Sequence, residues 1–379
     1  MTCEEAFHES ILNYGGRFDT STLLPDDTRA LFEDHAFRFR KYLEAWKATY
    51  PKNSPLIHFD WVKNDEVNAY AFNGAKVKLN DWYFIGITKG AIIYLHILFE
   101  RMLACKQFFP TIGIPDGEMD FNPIPDLIPH LASLETPGIE WVLPKDPIRK
   151  VFSEFLIRMI ADFLFYHELS HVLDGHVGFI NRGGRPVRFE LCATRRTKKK
   201  KDYRSHHMME ILADSYAMTA GLAELMAICD QPYLIGTSLS QFYNNRYDAL
   251  RHWSFVVSFY FRLCANGITS SPDVYDEDHP PPIMRQARVC QHGAAAIREY
   301  WPAVDIEKAR KSLIEGCAAA DHAIAYLMGL SEVKVDAINK AFQDLPQYDT
   351  DNVAHWENEL KPKMVKHSFR ALPNIRLDR

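Results

Sequence analysis

The chain has 379 residues, of which 47% are hydrophobic and 25% are charged, and its formal net charge is −5. This composition is ordinary for a folded globular protein and excludes a disordered polar chain. The negative net charge excludes a general electrostatic attraction to nucleic acid or to an anionic membrane surface. The 7 cysteines are widely spaced and contain no CxxC pair, so we predict reduced, buried thiols and no disulfide or cysteine–zinc framework.

The N-terminal sequence MTCEEAFHES has no basic region followed by an apolar run, so no secretory signal is visible. Two long apolar stretches are interrupted by charged residues. GAIIYLHILFERMLA contains Glu100 and Arg101, and WSFVVSFYFRLCA contains Arg262. Each is shorter than the roughly 20 apolar residues that span a bilayer. We therefore expect no membrane span and a cytoplasmic location.

The first strong helical pattern in chain order is DDTRALFEDHAFRFRKYLEAWKATYP. Asp26 or Asp27 suits its N-cap, and Pro51 suits its end. The following segment is rich in β-branched and aromatic residues and has Asn73 and Gly74 between two apolar runs, which predicts a β-hairpin. Helical character returns in AIIYLHILFERMLAC. Residues 106–145 contain many prolines and predict a long loop or insertion.

A long helix is predicted in KDPIRKVFSEFLIRMIADFLFYHELSHVLDGH. Asp146 suits its N-cap, Pro147 its first position and Gly175 its end. Its apolar residues recur at helical spacing, and the continuation of this buried face reaches His167 and His171.

The rest of the chain predicts further helices after a polar, basic loop at residues 181–207. Strong patterns occur in MMEILADSYAMTAGLAELMAI, in LSQFYNNRYDALRHWSFVVSFYFRLCANG, after the turn-rich SSPDVYDEDHPPPIMRQARVC, and at 303–329 and 331–343. The last 30 residues are polar, and we expect them to be peripheral.

The motif HELSH carries the clearest chemical signal. Because four residues advance a helix by little more than one turn, His167 and His171 project from one face and suit two ligands of a tetrahedral zinc ion. Glu168, beside the first ligand, can hold and deprotonate a water at the metal. The alternative is a chance match, since buried histidines often only satisfy backbone groups.

A third ligand is needed for a closed or catalytic zinc site. The pattern HExxHxxGxxH is absent, because Gly175 and His176 are displaced from the positions it requires. The helix HHMMEILADSYA instead offers two carboxylates one turn apart. Glu210 suits a metal ligand, and Asp214 suits an acceptor for the N–H of a ligand histidine. The alternative is a helix with scattered acidic residues, but its neighbours are mostly apolar, so a carboxylate there needs a partner.

Two further residues are candidates for the reaction. In DHPPPIMRQAR, His279 precedes a proline run and Arg285 opens the next helix. A hydrolase needs a donor that stabilises the developing oxyanion, so we expect at least one of the two to approach the metal. Arg285 has a second possible role, in which it pairs with Asp214. The alternative for the whole segment is a turn ended by prolines.

The basic run RRTKKKKDYR invites an interpretation as a nucleic-acid site. It is short, it lies in an acidic chain, and its aromatic content is limited to Tyr203, whereas single-strand binding uses interleaved aromatic residues. We favour a solvated loop or a contact for an acidic protein partner.

The order of the blocks VNAYAF, IGITKG, HELSHVLDGH, EILADSYA and HPPPIMR resembles that in gluzincin metallopeptidases of the HtpX and CAAX-prenyl-endopeptidase type. The chain also resembles the phage-exclusion Lit-type peptidases, which share HExxH and lack membrane spans. The resemblance covers about residues 67–290. The insertion at 106–145 and the basic loop at 181–207 match nothing in these families.

This resemblance implies zinc ligands at His167, His171 and Glu210, a base at Glu168 and a supporting Asp214. It also places His279 or Arg285 near the substrate or near Asp214. The implied fold is α+β, a mostly helical zincin-like metallopeptidase with a small antiparallel or mixed sheet packed on the HExxH helix.

The expected organisation is an N-terminal helical segment at 1–55, a peptidase domain at 56–330 and a peripheral tail at 331–379. The expected function is a soluble zinc endopeptidase that acts on a protein or peptide, in phage defence or regulation. Two other interpretations remain: a non-catalytic, zinc-stabilised interaction or regulatory protein, and a zinc hydrolase of a non-peptide amide. The oligomeric state is left open.

Overall fold

The computed structural model describes residues 2–22, 26–50, 54–120, 123–124, 141–180, 189–190, 203–230, 242–243, 245–264, 279–330 and 335–375. The described chain is mostly helical and contains one small mixed sheet, which confirms an α+β architecture. The helices are α1 (Cys3–Ile11), α2 (Asp26–Thr49), α3 (Lys89–Leu103), α4 (Pro147–Leu173), α5 (His176–Ile180), α6 (Arg204–Cys229), α7 (Arg246–Cys264), α8 (Pro282–Tyr300), α9 (Ile306–Leu327), α10 (Val335–His355) and α11 (Lys361–Met364). The strands are β1 (Leu56–Val62), β2 (Ala69–Gly74), β3 (Leu79–Thr88) and β4 (Phe189–Glu190).

The sheet has the strand order β1-β3-β2-β4. β1 is parallel to β3, whereas β2 is antiparallel to both β3 and β4. The predicted hairpin is confirmed as β2–β3, but its connection is longer than a two-residue Asn-Gly turn. A short 3-10 turn, Ala75–Val77, follows Gly74, and Lys78 then adopts the left-handed conformation with φ 62°. The pairing register shifts between Asn73 and Gly74, which accommodates the extra residues.

The long predicted helix is confirmed as α4. The side chain of Asp146 accepts hydrogen bonds from the backbone N–H groups of Ile148 and Arg149, so the N-cap is in place. At the other end Gly175 has φ 77°, a left-handed conformation that costs glycine little and ends the helix.

The other predicted helices are present with different boundaries. α6 begins at Arg204, inside the predicted basic loop, and α10 extends well beyond residue 343. The capping role of Asp26 or Asp27 falls on side chains outside the described residues. Most of residues 121–140 and 181–202 also lies outside them, including the basic run apart from its last two residues, Tyr203 and Arg204. The described part of the insertion contains a 3-10 turn at Pro115–Gly117.

The helix α4 lies at the centre of the core. It packs against α3, α6 and α7 and against strands β2 and β3, so the sheet lies on the HExxH helix as expected. Every residue from Leu169 to Leu173 is fully buried, although this segment includes a serine and a histidine. Buried polar side chains need partners. The buried polar groups of α4 therefore indicate either a hydrogen-bond network or a functional site.

The C-terminal segment packs more closely than a peripheral tail. α10 continues through a π-helical turn, Trp356–Leu360, into α11. Trp356, Leu360 and Met364 are all buried, because a spacing of four residues places them on one helical face. Beyond α11, the Arg370 guanidinium donates two hydrogen bonds to Asp174, at 2.6 and 2.7 Å.

The C-terminal segment also closes over Gly175. The N–H of Phe369 donates to the carbonyl of Leu173 at 2.8 Å. A Cβ atom on Gly175 would lie 2.4 Å from the backbone of His367. The end of α4 is therefore held by residues almost two hundred positions further along the chain.

Replacing Gly175 with alanine should destabilise the protein. The left-handed backbone costs a non-glycine residue about 1–3 kcal/mol, and the added methyl group would also collide with His367. Thermal unfolding should show a clearly lower melting temperature. Gly117→Ala is the matched control, because its Cβ would meet nothing within 4 Å. Equal melting temperatures for the two variants would contradict this account of the segment.

One described helix, α6, has the length and apolar character of a membrane-crossing segment, and 56% of the relevant window is buried inside the protein. Buried core helices of soluble proteins meet the same criterion, and α6 carries Glu210 and Asp214 on its buried side. The expected absence of a membrane span stays a prediction.

The prediction that all cysteines are reduced thiols is wrong for one described cysteine. Cys264 is disulfide-bonded, whereas five other described cysteines are free thiols.

Candidate metal centre

The packing of α4 against α6 brings three predicted ligands together. His167 Nε2 lies 3.1 Å from His171 Nε2, and Glu210 lies 3.3 Å from the first nitrogen and 3.4 Å from the second. All three residues are at most 1% exposed. Within the described residues this is the group whose donor atoms are close enough to hold a metal ion.

The spacing of these atoms fits a tetrahedral metal. Ligands at about 2.0–2.1 Å from a tetrahedral zinc ion lie roughly 3.3–3.4 Å from one another, and the three observed separations are 3.1–3.4 Å. Unprotonated imidazole nitrogens and a carboxylate repel one another when their lone pairs converge in a buried space. A cation at their centre would satisfy all three, so the residues fit a metal ion.

Asp214 contacts the first motif histidine, His167. Its Oδ1 lies 3.0 Å from His167 Nδ1, on the side of the imidazole opposite the metal position. A proton on Nδ1 leaves Nε2 as a lone-pair donor toward the metal. Asp214 is in turn held by Arg285, whose Nε and Nη2 donate to its two oxygens at 2.8 and 2.7 Å. Asp214 therefore links His167 to Arg285, and its supporting role at a metal site stays a prediction.

His176 contacts the second motif histidine, His171, which the sequence did not indicate. Its Nδ1 lies 2.8 Å from His171 Nδ1. When His171 donates in this bond, its Nε2 faces the metal position as an acceptor. The left-handed Gly175 breaks the helix and brings His176 back toward His171. Helical spacing alone could not reveal this contact.

His207 is separate from the centre. Its Nδ1 lies 2.8 Å from the hydroxyl of Tyr348 on α10. Neither His207 nor His176 replaces Glu210 beside the two motif histidines. The carboxylate of the second helix is the third member of the group.

Protons and a metal ion would compete for this group. Burial alone would lower the pKa of His167, but its contacts with Asp214 and Glu210 raise it to about 9. Burial lowers the pKa of His171 to about 4. Without a metal, a doubly protonated His167 would donate from Nδ1 to Asp214 and from Nε2 to Glu210, and a bound cation would displace the Nε2 proton. Metal binding therefore releases a proton and weakens as the pH falls.

Glu168 is the buried acid that these contacts leave unexplained. Both of its carboxylate oxygens lie in the protein interior, and neither has a hydrogen-bond partner among the described residues. Burial raises the pKa of Glu168 to about 8. The charge of Glu210 also raises this pKa, whereas the charges of His167 and Arg285 lower it. A nearby cation favours the carboxylate form. A buried acid without a structural partner beside a metal position is typical of a catalytic group.

His279 and Arg285 both reach the neighbourhood of the centre. His279 Nε2 lies 3.8 Å from Glu210 Oε1, and its side chain is 13% exposed, more than any of the proposed ligands. Arg285 is buried in its pair with Asp214 and lies 3.6 Å from Glu210. The residues on either side of the proline run therefore both lie near Glu210. Of the two predicted roles for Arg285, the geometry favours the structural one.

No known protein-family pattern, curated protein or solved structure matches the chain. The described residues define a mostly helical α+β protein with a buried His167–His171–Glu210 group that could bind a metal ion.

Replacing Asp214 with asparagine should weaken metal binding without abolishing it. Loss of an outer partner of a ligand histidine typically costs 10–100-fold in affinity or activity. Competition with a chromophoric chelator would measure the metal affinity directly. Asp321→Asn is a suitable control, since this buried aspartate also pairs with an arginine, Arg262, but lies away from the metal group. If the Asp214→Asn protein binds metal with the parental affinity, Asp214 has no role in metal binding.

Proposed function

We propose that the protein is a zinc-dependent endopeptidase with a zincin-like fold of the gluzincin type. The observation that carries the proposal is the convergence of His167, His171 and Glu210 at 3.1–3.4 Å, together with a buried Glu168 that has no hydrogen-bond partner among the described residues. Two histidines and one glutamate are the ligand set of known zinc peptidases, and such a set leaves a coordination position open.

Zinc is favoured over harder cations by the donors. Calcium and magnesium prefer oxygen ligands, whereas imidazole nitrogens suit zinc and the later transition metals. When bound, zinc would polarise the scissile carbonyl and lower the pKa of water.

The protein side chains supply the remaining steps. Glu168 accepts the proton of the attacking water and returns it to the leaving amine. His279 approaches the site from its more exposed side and donates to the oxygen of the scissile carbonyl as negative charge develops there. Asp214 and His176 hold the two ligand imidazoles, and Arg285 holds Asp214. This division assigns a task to each polar group around the centre.

The proposed substrate is a peptide bond in a protein or peptide. The proposed location is the cytoplasm, and the proposed context is phage exclusion or regulation, both of which rest on the resemblance of the motif order. A membrane partner and a nucleic-acid partner are not part of the proposal.

A second candidate function is a non-catalytic zinc site that stabilises an interaction protein. The observation in its favour is the complete burial of the three ligands, because structural zinc sites are closed to solvent. Glu168 argues against it, since a structural site has no use for a buried acid without a bonding partner.

The two functions differ in what they do to other proteins. Metal analysis of the purified chain should find zinc at one ion per chain for either. Mapping of new protein N-termini in cells should then compare the parent chain with Glu168→Gln. New termini that depend on Glu168 support the endopeptidase. Identical sets of termini, together with bound zinc, support the structural site.

Replacing His279 with alanine should lower kcat more than it raises KM. Loss of one oxyanion donor typically costs about 10²–10³ in kcat, and the zinc content should stay unchanged because His279 is not a ligand. Steady-state kinetics on a cleaved peptide would separate the two constants. His322→Ala, at an exposed position on α9, is the control. If the His279→Ala enzyme keeps the parental kcat, His279 has no catalytic role and the proline segment is only a turn.

A further inference from the structure

A cavity of about 210 Å³ lies between α8 and α9, away from the metal group. Its rim includes Ile314 and Phe342, which are 56% and 45% exposed, so the cavity opens to solvent between apolar side chains. Two cysteines from different helices line it: Cys290 on α8 and Cys317 on α9.

The two thiols are in contact. Cys290 Sγ lies 3.4 Å from Cys317 Sγ, although the residues are 27 positions apart in the chain. Both are free thiols; Cys290 is half-buried, whereas Cys317 is buried. The hydroxyl of Ser258 on α7 donates to Cys317 Sγ at 3.0 Å. Three helices therefore meet at this pair, and the sulfur of Cys317 accepts a hydrogen bond from a third helix.

We propose that Cys290 and Cys317 form a redox-active dithiol site that reacts with hydroperoxides entering through this cavity. Cys290 is the thiol that reacts first, because it is more exposed. Cys317 is the resolving thiol. Its contact with Cys290 and its burial raise its pKa well above the ordinary value, which keeps it in the unreactive thiol form until its neighbour has been oxidised.

The chemistry balances with hydrogen peroxide as the oxidant. The Cys290 thiolate attacks one peroxide oxygen, the O–O bond breaks, and Cys290 becomes a sulfenic acid while the other oxygen leaves as water after protonation. The sulfur of Cys317 then attacks the Cys290 sulfur. The S–O bond breaks, and hydroxide leaves as water with the Cys317 proton. Two thiols and one peroxide give one disulfide and two waters.

The closing movement required is small. A disulfide has a sulfur–sulfur distance of about 2.03–2.05 Å, so the two sulfurs must approach by roughly 1.4 Å from their present contact. Side-chain rotation and the adjacent cavity can accommodate this movement. Other free cysteines, such as Cys105 and Cys229, lie elsewhere on α-helical or loop segments and offer internal comparisons.

The test is thiol mapping of the purified full-length chain after treatment with equimolar hydrogen peroxide. Free thiols are alkylated, the protein is digested without reduction, and the linked peptides are identified by mass spectrometry. We expect a pair of peptides linked by a Cys290–Cys317 disulfide, and the alkylated forms of both cysteines should disappear. Treatment with dithiothreitol before alkylation should restore them. Because each linkage is assigned to its peptides, the existing disulfide at Cys264 does not interfere.

Single variants test the order of the two steps. Cys317→Ser should leave a sulfenic acid on Cys290 that dimedone traps. Cys290→Ser should leave Cys317 in its thiol form after the same treatment. Cys105→Ser is the control, and it should form the Cys290–Cys317 link like the parent chain. Full recovery of both alkylated thiols in the peroxide-treated parent chain would overturn the proposal, and so would linkage of either one to another cysteine. This mapping of the parent chain decides the question even if a variant fails to fold.

Discussion

Replacing Glu168 with glutamine should lower kcat by about 10²–10⁴ while the metal content stays at the parental level. General acid–base catalysis typically contributes this factor, and glutamine keeps the shape of the side chain but can neither accept nor return the proton. Glu168 is not among the three converging donors, so its replacement leaves the metal group intact. The measurements are steady-state cleavage of a mapped peptide substrate and metal analysis of the same preparation.

The matched control is Glu154→Gln, at an exposed position on the same helix. It makes the same chemical change and should retain the parental kcat. Three outcomes can be distinguished. Loss of activity with bound metal identifies the base, loss of both indicates damage to the centre, and full activity in Glu168→Gln would refute the proposed role.

Removal of the metal should produce the largest effect on stability. A ligand that binds only the folded state stabilises that state by about 4 kcal/mol when its free concentration is 1,000 times its Kd. In the metal-free protein His167, His171 and Glu210 would converge without a cation, and part of this stabilisation would be lost. Chelator treatment should therefore lower the melting temperature, and added zinc should restore it.

Glu210→Gln should abolish this metal-dependent shift. The neutral amide is a poor zinc ligand, and a site with two histidines falls below the three protein ligands that a zinc site needs. The relevant measurement is the difference in melting temperature between zinc-loaded and chelated samples of each variant. Glu154→Gln again serves as the control and should keep the parental difference. If the parent chain has the same melting temperature with and without chelator, the buried group holds no metal that contributes to stability.

The two experiments address separate claims. The melting-temperature shift tests whether the group binds metal, and the Glu168→Gln kinetics test whether the bound metal serves catalysis. A protein that shows the first effect without the second fits the structural zinc site.

Much of the local structure was predictable because it repeats over a few residues. The apolar period of α4, its cap at Asp146 and its end at Gly175 are encoded within single turns. The same argument placed His167 and His171 on one face, and it placed Glu210 and Asp214 one turn apart on a second helix. Each prediction depends on spacing within one element.

The relations between elements were not predictable in the same way. No local period shows that β1 runs parallel to β3, or that Arg370 pairs with Asp174, because these contacts join segments that are distant in the chain. His176 is the clearest case. Ideal helical spacing directs it away from the metal, but the break at Gly175 brings it onto the outer nitrogen of His171.

The order of residues along the chain is enough to place certain residue types at ligand spacing, because the helical repeat is a property of the backbone. Tertiary structure decided which of these residues meet. The packing of α4 on α6 carries Glu210 to within 3.4 Å of both motif histidines, and α8 carries Arg285 onto Asp214. The packing of α8 on α9 brings Cys290 against Cys317 in the same way. Such contacts depend on how whole helical faces fit together, and no short stretch of sequence contains that information.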